Sequence, residues 1–432
     1  MGRVGRVSRI DKARWVAIVA IGFALTHLSI AAQISFEQAV ADLASPDVSV
    51  RRKAVAMLKD EAIPEAAIPL AALVGDQQDA IQLDAIAAEL NIFLAERVIT
   101  RKRVGYLVEK RSTIDAESTF SAGPLAIGGR AVPVELLTAL RGAMHDDNPR
   151  VGLEAIYAFG ALAPTLSGTA RRDAQRAAGP DLTSLLGSLD PYIRFAGVRV
   201  IGRVFEFRPN DQPVDETVGD TVVAAMNDKD QTVKSAVVQA LGLMRYERGV
   251  TALTELFAYY GKGQSAEAAL DALAHTANPA NAPLLAEQLT SKSSVLRGIA
   301  VEGLARLGDI ARLAEMQVVL KGERTDSVLL ALAFANTLMS NAPIDPISEA
   351  VTRTKTRDQA RHYLIEIAPG RVGLFNRQLV DPDARVRLAA VDALGLTHDP
   401  TAVPLVQPLT TDNDPLVAQA AAHAVERLST PQ

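Results

Sequence analysis

Asp383-Ala384-Arg385-Val386-Arg387-Leu388-Ala389-Ala390-Val391-Asp392-Ala393-Leu394-Gly395 decides the fold. An Asp stands three residues ahead of an apolar anchor, Val386, and Ala390, Val391 and Leu394 follow at offsets 4, 5 and 8. Those offsets share one stripe of an α-helix, and a side-chain oxygen at the Asp position accepts from the free N–H groups of a first turn. The same frame reads Asp47-Val48-Ser49-Val50-Arg51-Arg52-Lys53-Ala54-Val55-Ala56-Met57-Leu58, and it returns eleven times. The anchors are Val50, Gln82, Val151, Ile193, Val233, Ser265, Leu296, Leu330, Gln359, Val386 and Val417. Three residues earlier stand Asp47, Asp79, Asn148, Asp190, Asp230, Lys262, Ser293, Ser327, Thr356, Asp383 and Asp414, which predicts an N-cap everywhere except Lys262. Offset 8 is apolar in all eleven. From Val233 onward the spacings are 32, 31, 34, 29, 27 and 31 residues. A period near thirty indicates a stacked solenoid.

Each capped segment follows another apolar one. Pro64–Val74, Pro279–Leu289 and Pro400–Leu409 open on proline, which a helix start tolerates because the missing N–H would have had no partner. The unit is therefore a helix pair. The D-x-x-V-R-x-x-A-x-x-A-L core at Asp47 and Asp383 resembles the HEAT-like repeats of phycobilisome lyases, over roughly Phe36 to Leu428. The fold expected is all-α, an α-solenoid of about ten to eleven HEAT-like helix pairs across residues 33–432. Layers about 9 Å apart would give an open arc of ~100 Å. Aromatic residues make up only 4% of the chain, which suits thin layers of small side chains.

Residues 1–32 read differently. Arg3, Arg6, Arg9, Lys12 and Arg14 precede the apolar run Trp15–Leu28, and Ser29-Ile30-Ala31 has the small-x-small form of a cleavage site. This pattern predicts a secretory signal peptide. The alternative is a signal anchor through residues 15–32, which would tether the chain to a membrane. Either places the solenoid outside the cytoplasm, in the periplasm or an equivalent compartment. The chain has no cysteine, so it carries no disulfide framework. Removal of residues 1–31 takes five basic and one acidic residue from totals of 45 and 50, leaving about nine net negative charges. That balance argues against nucleic acid as a partner.

Between Gln82 and Val151 the period doubles to 69 residues, so a segment at 99–131 is inserted. It begins with the basic residues Arg101, Lys102, Arg103, Lys110 and Arg111, and it continues as Ser112–Arg130 with Gly123, Pro124, Gly128 and Gly129. Breakers at that density predict a loop, and loops on rigid scaffolds carry binding function. Pro164–Pro180 and Phe205–Val218 read as inter-helix loops. The HEAT-like resemblance implies that the second helix of each pair lines the inner curve. Arg199, Arg203 and Arg306 then join the five insertion residues as candidate partner-binding positions.

The six histidines show no H-E-x-x-H, H-x-H or i, i+4 pair. No His-Glu dipeptide of the kind used by HEAT-like di-iron hydroxylases is present either. His145-Asp146 and His398-Asp399 read as turn residues. Gly261-Lys262-Gly263-Gln264-Ser265-Ala266 has the letters of a dinucleotide turn but lacks the preceding strand, and it reads as a simple turn. No catalytic group, metal ligand or cofactor is nominated. The expected function is a non-enzymatic exported scaffold that binds a protein partner. The alternative, prompted by the bilin lyases and isomerases that share the repeat, is an accessory or maturation factor acting on a prosthetic group or a protein.

Overall fold

A computed structural model describes residues 35–95, 115–209 and 211–430. The proposed signal segment and the basic residues Arg101, Lys102, Arg103, Lys110 and Arg111 lie outside the described residues. All eleven anchors fall inside helices: Val48–Glu61, Asp79–Phe93, Pro149–Leu162, Pro191–Val204, Gln231–Leu243, Gln264–Thr276, Ser294–Leu307, Asp326–Ser340, Arg357–Ile367, Ala384–Gly395 and Pro415–Ser429. These are the inner helices of repeats 1 to 11, stacked side by side, and an outer segment precedes each one. Among the described residues the only β-pairing is an isolated antiparallel bridge between Leu94 and Ile127. The chain is an all-α solenoid.

Local chemistry explains the outer layer. In Pro64–Gly75 and Pro400–Thr411, which carry further prolines at Pro69, Pro404 and Pro408, the segment divides into 3-10 turn, short α-helix and 3-10 turn, whereas after Pro279 a single 3-10 turn leads into the helix Ala282–Gln288. Pro164–Pro180, expected to be a loop, instead contributes most of the 18-residue helix Gly168–Leu185. Four alanines across the helix, Ala170, Ala174, Ala177 and Ala178, outweigh the charged residues that suggested a loop. Pro180 sits inside this helix, and the Thr183 hydroxyl donates to the carbonyl of Gly179 at 2.8 Å.

The predicted caps hold at Asp47, Asn148, Asp190, Asp230, Ser293, Asp383 and Asp414, whose side chains accept from first-turn N–H groups. They fail at three positions. The helices of repeats 2 and 8 start earlier, at caps Gln78 and Thr325, which leaves Asp79 and Ser327 inside their first turns. Thr356 occupies the cap position, but its hydroxyl donates to the Ala350 carbonyl at 3.1 Å.

Two devices join successive repeats. The first is the arginine one residue past the anchor. Arg51, Arg194 and Arg387 each form a two-pronged pair with a carboxylate of the next repeat, Asp76, Asp228 and Asp412, with shortest contacts of 2.6 to 2.8 Å. Arg297 reaches Glu323 at 2.8 Å in the same position. The remaining nitrogen of each donates to the carbonyls five and six residues back, so one guanidinium fixes the turn behind it and the repeat ahead. The second device is a small residue at offset 9 against a small residue at offset 7 of the next repeat. A Cβ added at Gly202 would come within 3.0 Å of Ala240, and one added at Gly395 within 2.8 Å of Ala424. Side chains at these points would force the helices apart.

Candidate functional site: a closed inner face

The inner helices wind tightly enough for their C-terminal ends to meet, so the expected open arc with a free concave surface is corrected. Arg208, after repeat 4, lies 3.4 Å from His398, after repeat 10. Arg245, after repeat 5, approaches Glu366 of repeat 9 at 3.7 Å. Arg306 of repeat 7 grips the same Glu366 with two bonds, at 2.8 and 2.9 Å.

Arg306 was expected at the surface, and its side chain is only 3% exposed. It lies between Glu366 and Glu302, 5.6 Å from the centre of the Phe334 ring, and Tyr363 donates to Glu302 from the other side. Burial opposes ionisation of Glu366, but the bonds from Arg306 hold its carboxyl below the ordinary glutamate value. The pair is thus a charged tie between repeats 7 and 9, closed to an incoming partner. Burial likewise brings Arg208 down to about 10 and His398 to about 4, so at neutral pH the histidine meets the guanidinium uncharged.

The described part of the insertion adds a strap. Ser112–Arg130 was expected to be a loop, yet Ala116–Ser121 forms a short helix and Pro124–Ala126 a 3-10 turn. Asp115 caps the helix, and the Ala116 N–H donates to Glu154 at 2.9 Å. Phe120 inserts against repeats 3 and 4, where Gly160 leaves room: a Cβ there would come within 2.9 Å of the ring. Arg199 lies over this ring at 5.0 Å and over Tyr157 at 5.5 Å, and it donates to Glu117 and Ser121 at 3.0 Å each. Arg203 covers the same ring at 4.7 Å, and burial lowers its pKa. The structure therefore brings the sequence candidates Arg199 and Arg203 together, with the strap as their occupant.

Beyond this helix the strap reaches the last repeat. Gly128 donates to the Phe93 carbonyl at 2.7 Å, and Ala95 to that of Ala126 at 2.8 Å. On the other side Arg427 donates to the carbonyls of Ile127 and Leu125 at 2.8 and 3.4 Å, and the Thr430 hydroxyl donates to that of Gly129 at 2.6 Å. The backbones of Gly129 and the final helix are so close that a Cβ would stand 2.3 Å from the Arg427 nitrogen. Repeats 2, 3, 4 and 11 are thus tied through one segment. The Gly128-Gly129 pair was the sequence signal for that approach, but a loop reading absorbed it.

Little in this arrangement resembles chemistry. Among the described residues no group of three or more His, Cys, Asp or Glu is placed to hold a metal ion. A cleft of about 440 Å³ between repeats 2 and 3 is lined by Asp76, Asp79, Gln82, Asp146, Asp147 and Asn148. Its polar groups serve the fold: Asp76 binds Arg51, Asp146 accepts from Gln82 at 2.9 Å, and Asp79 accepts from Asn148 at 2.6 Å. Glu89 is the outlier. It is fully buried at offset 7 of repeat 2, its carboxylate oxygens have no hydrogen-bond partner among the described residues, and burial raises its pKa well above the ordinary value. Such a group is stable there only in its protonated form.

A family model described as HEAT repeats matches residues 373–432, which span repeats 10 and 11. It does not distinguish the phycobilisome-lyase type. No curated protein matches the chain. Among solved structures the chain is similar to an engineered protein from a structural genomics programme, at 18% identity over 92% of this chain and 99% of that one, with a TM-score of 0.38. It is also similar to a chain from a study of a phosphorylation switch that controls the interaction between cadherin and beta-catenin. The identity there is 14%, over 91% of this chain and 90% of that one, with a TM-score of 0.41.

Proposed function

Taking the chain as a HEAT-like repeat protein, we propose that it is a non-enzymatic scaffold, exported from the cytoplasm, that holds a protein partner on its surface. One observation carries this reading: the charged groups of the inner face are consumed by the fold itself, Arg199 and Arg203 by the strap and Arg306 by Glu366. Buried ion pairs and stacked guanidinium groups fix a shape and leave no free acid, base or nucleophile among them. Binding then falls to the exposed turns and to the basic residues Arg101, Lys102, Arg103, Lys110 and Arg111. Export rests on the basic and apolar pattern of residues 1–32.

The test is affinity capture from the native envelope fraction, using the full chain and a variant with those five basic residues replaced by serine. The strap at 115–130 is left intact because its removal would unpack repeats 3, 4 and 11. A stoichiometric protein held by the wild type and lost by the variant places the partner on the basic insertion. One held by both places it on the exposed turns. The absence of any stoichiometric partner from both, with the fold intact by circular dichroism, rejects the scaffold reading.

A further inference from the structure

Because the C-terminal ends of the inner helices converge, the turns that precede their N-termini splay around the outside as a rim. Contacts across this rim are direct: Arg297 of repeat 7 bonds Glu323 of repeat 8, Gln359 of repeat 9 donates to the Ser327 carbonyl of repeat 8, and Arg385 of repeat 10 to that of Thr352. The turns are therefore neighbours in space, in repeat order.

Along this rim the sign of charge changes. The turns of repeats 2, 3, 5, 10 and 11 carry paired acids, Asp76/Asp79, Asp146/Asp147, Asp228/Asp230, Asp381/Asp383 and Asp412/Asp414. In repeats 6 to 9 the turns carry Lys262, Lys292, Lys321, Arg324, Arg353 and Lys355, all exposed. Among the described residues none of these six cations forms an ion pair within 4.0 Å. Exposed Glu287 and Glu349 stand at the ends of the preceding outer helices, and the acids within the turns and first helical turns are partly offset. Glu323 is bound by Arg297 and held at about 2, while Glu267, Asp326 and Asp358 lie in first turns, where the helix dipole favours a negative charge.

The same stretch exposes apolar tips. The outer helix of repeat 6 ends Tyr259-Tyr260-Gly261-Lys262, and that of repeat 8 ends Val318-Val319-Leu320-Lys321-Gly322. Tyr259 is 81% exposed and Val318 73%, and Tyr260, Val319, Val295 and Leu329 are also exposed. Gly261 and Gly263, at φ of 64° and 82°, turn the chain sharply at the first tip, and Gly322, at 94°, does so at the second.

We propose that the rim of repeats 6 to 9 docks on an anionic lipid bilayer, with the lysines at the headgroup level and the tyrosine and valine tips below it. Charge complementarity carries the choice of occupant. Peptide recognition uses a sheet edge, an apolar groove or arginine forks, and this rim offers helix-bonded turns with lysine as the main cation. A fluid layer of anionic headgroups over apolar chains needs only cations and apolar or tyrosine tips at one level, spread over three repeat steps or ~30 Å. The proposal is independent of which protein the scaffold holds.

The test uses the full chain with Trp15→Phe and Tyr259→Trp, so that the one tryptophan reports from the rim whatever residues 1–32 do. Vesicles of phosphatidylglycerol and phosphatidylcholine, with brominated chains as quencher, should shift its emission to the blue and quench it. Phosphatidylcholine alone should do neither, and ~1 M salt, with a screening length of ~3 Å, should weaken the effect. Lys262→Glu, Lys292→Glu and Lys321→Glu together, in the same background and with an unchanged circular dichroism spectrum, should weaken the response more than tenfold, at roughly fivefold per lysine near the surface. A tryptophan that remains unshifted and unquenched on anionic vesicles overturns the proposal, even if the chain is vesicle-bound through its N-terminus. So does a charge-reversed variant that responds like its parent. A peptide of glutamate and phenylalanine that shifts the reporter when vesicles do not would assign the rim to protein recognition instead.

Discussion

Gly129→Ala should open the solenoid at the strap. The added Cβ would lie 2.3 Å from the Arg427 nitrogen and 2.6 Å from the Glu426 carbonyl carbon, both backbone atoms with no rotamer to escape through. Relief requires the strap to lift from the last helix. The bonds at risk are the Gly129 N–H to Glu426 at 3.3 Å, Thr430 to Gly129 at 2.6 Å, and Arg427 to Ile127 and Leu125 at 2.8 and 3.4 Å. At about 1 kcal/mol for a neutral bond and about 1.5 to 3 for one to a charged group, loss of part of this set costs roughly 3 kcal/mol. Hydrogen exchange should show the effect locally, with faster exchange over residues 124–130 and 415–430 and little change in repeats 5 to 8, because solenoid repeats couple mainly to their neighbours. The control is Gly142→Ala, an exposed helical glycine with nothing within 4 Å of its added Cβ, which should stabilise by about 0.5 to 1 kcal/mol. Unchanged exchange in both segments of Gly129→Ala would refute the strap's role.

Four further outcomes are expected. Asp383→Ala and Asp414→Ala should each cost about 1 kcal/mol in urea unfolding, and Asp147→Ala clearly less, because Asp147 is exposed and caps nothing. Asp383 is held at about 2 by Arg385 and by a backbone N–H, below its unfolded value of 3.8, so its contribution is complete above about pH 4 and is lost as pH falls through about 2. The Asp383→Ala variant should therefore lose less stability than the wild type over that acid range. Arg306→Met leaves the partly buried Glu366 with only the longer Arg245 contact and should cost roughly 3 kcal/mol, whereas Arg306→Met with Glu366→Leu should recover most of it; equal losses in the two variants would count against the tie. If residues 1–31 are removed on export, the mature chain loses Trp15, its only tryptophan, and should show tyrosine emission and a mass beginning near Ala32. Tryptophan emission from protein recovered from the native envelope would indicate the uncleaved anchor.

The repeat was legible because its signals are local. Anchor, cap and apolar offsets lie within one helix, and all eleven anchors proved helical. Cap identity was less secure where a helix could start one or two residues earlier, as at Gln78 and Thr325, because several adjacent side chains compete for the same N–H groups. The inner face was the hardest part to read. Placing Arg306 outward assumed that a charged residue at offset 10 meets water, and whether it does depends on Glu366, 60 residues away. The strap depends on a partner about 300 residues distant, which no periodicity encodes. The lysines of repeats 6 to 9 gave no signal in the sequence beyond the missing cap at Lys262, and their alignment along one edge emerged only when the repeats were stacked.

The closure of repeat 2 on repeat 11 is the claim on which the inner face depends, and a cysteine-free chain permits a direct test. Arg130→Cys and Glu426→Cys replace two partly exposed side chains whose charged atoms lie 3.9 Å apart. Treated with a short bifunctional maleimide at low protein concentration, the double variant should form an intramolecular cross-link in high yield, mapped by mass spectrometry to the strap and the final helix. Two separate single adducts, with no cross-link under native conditions, would mean that the solenoid is open and that its inner face is free for a partner.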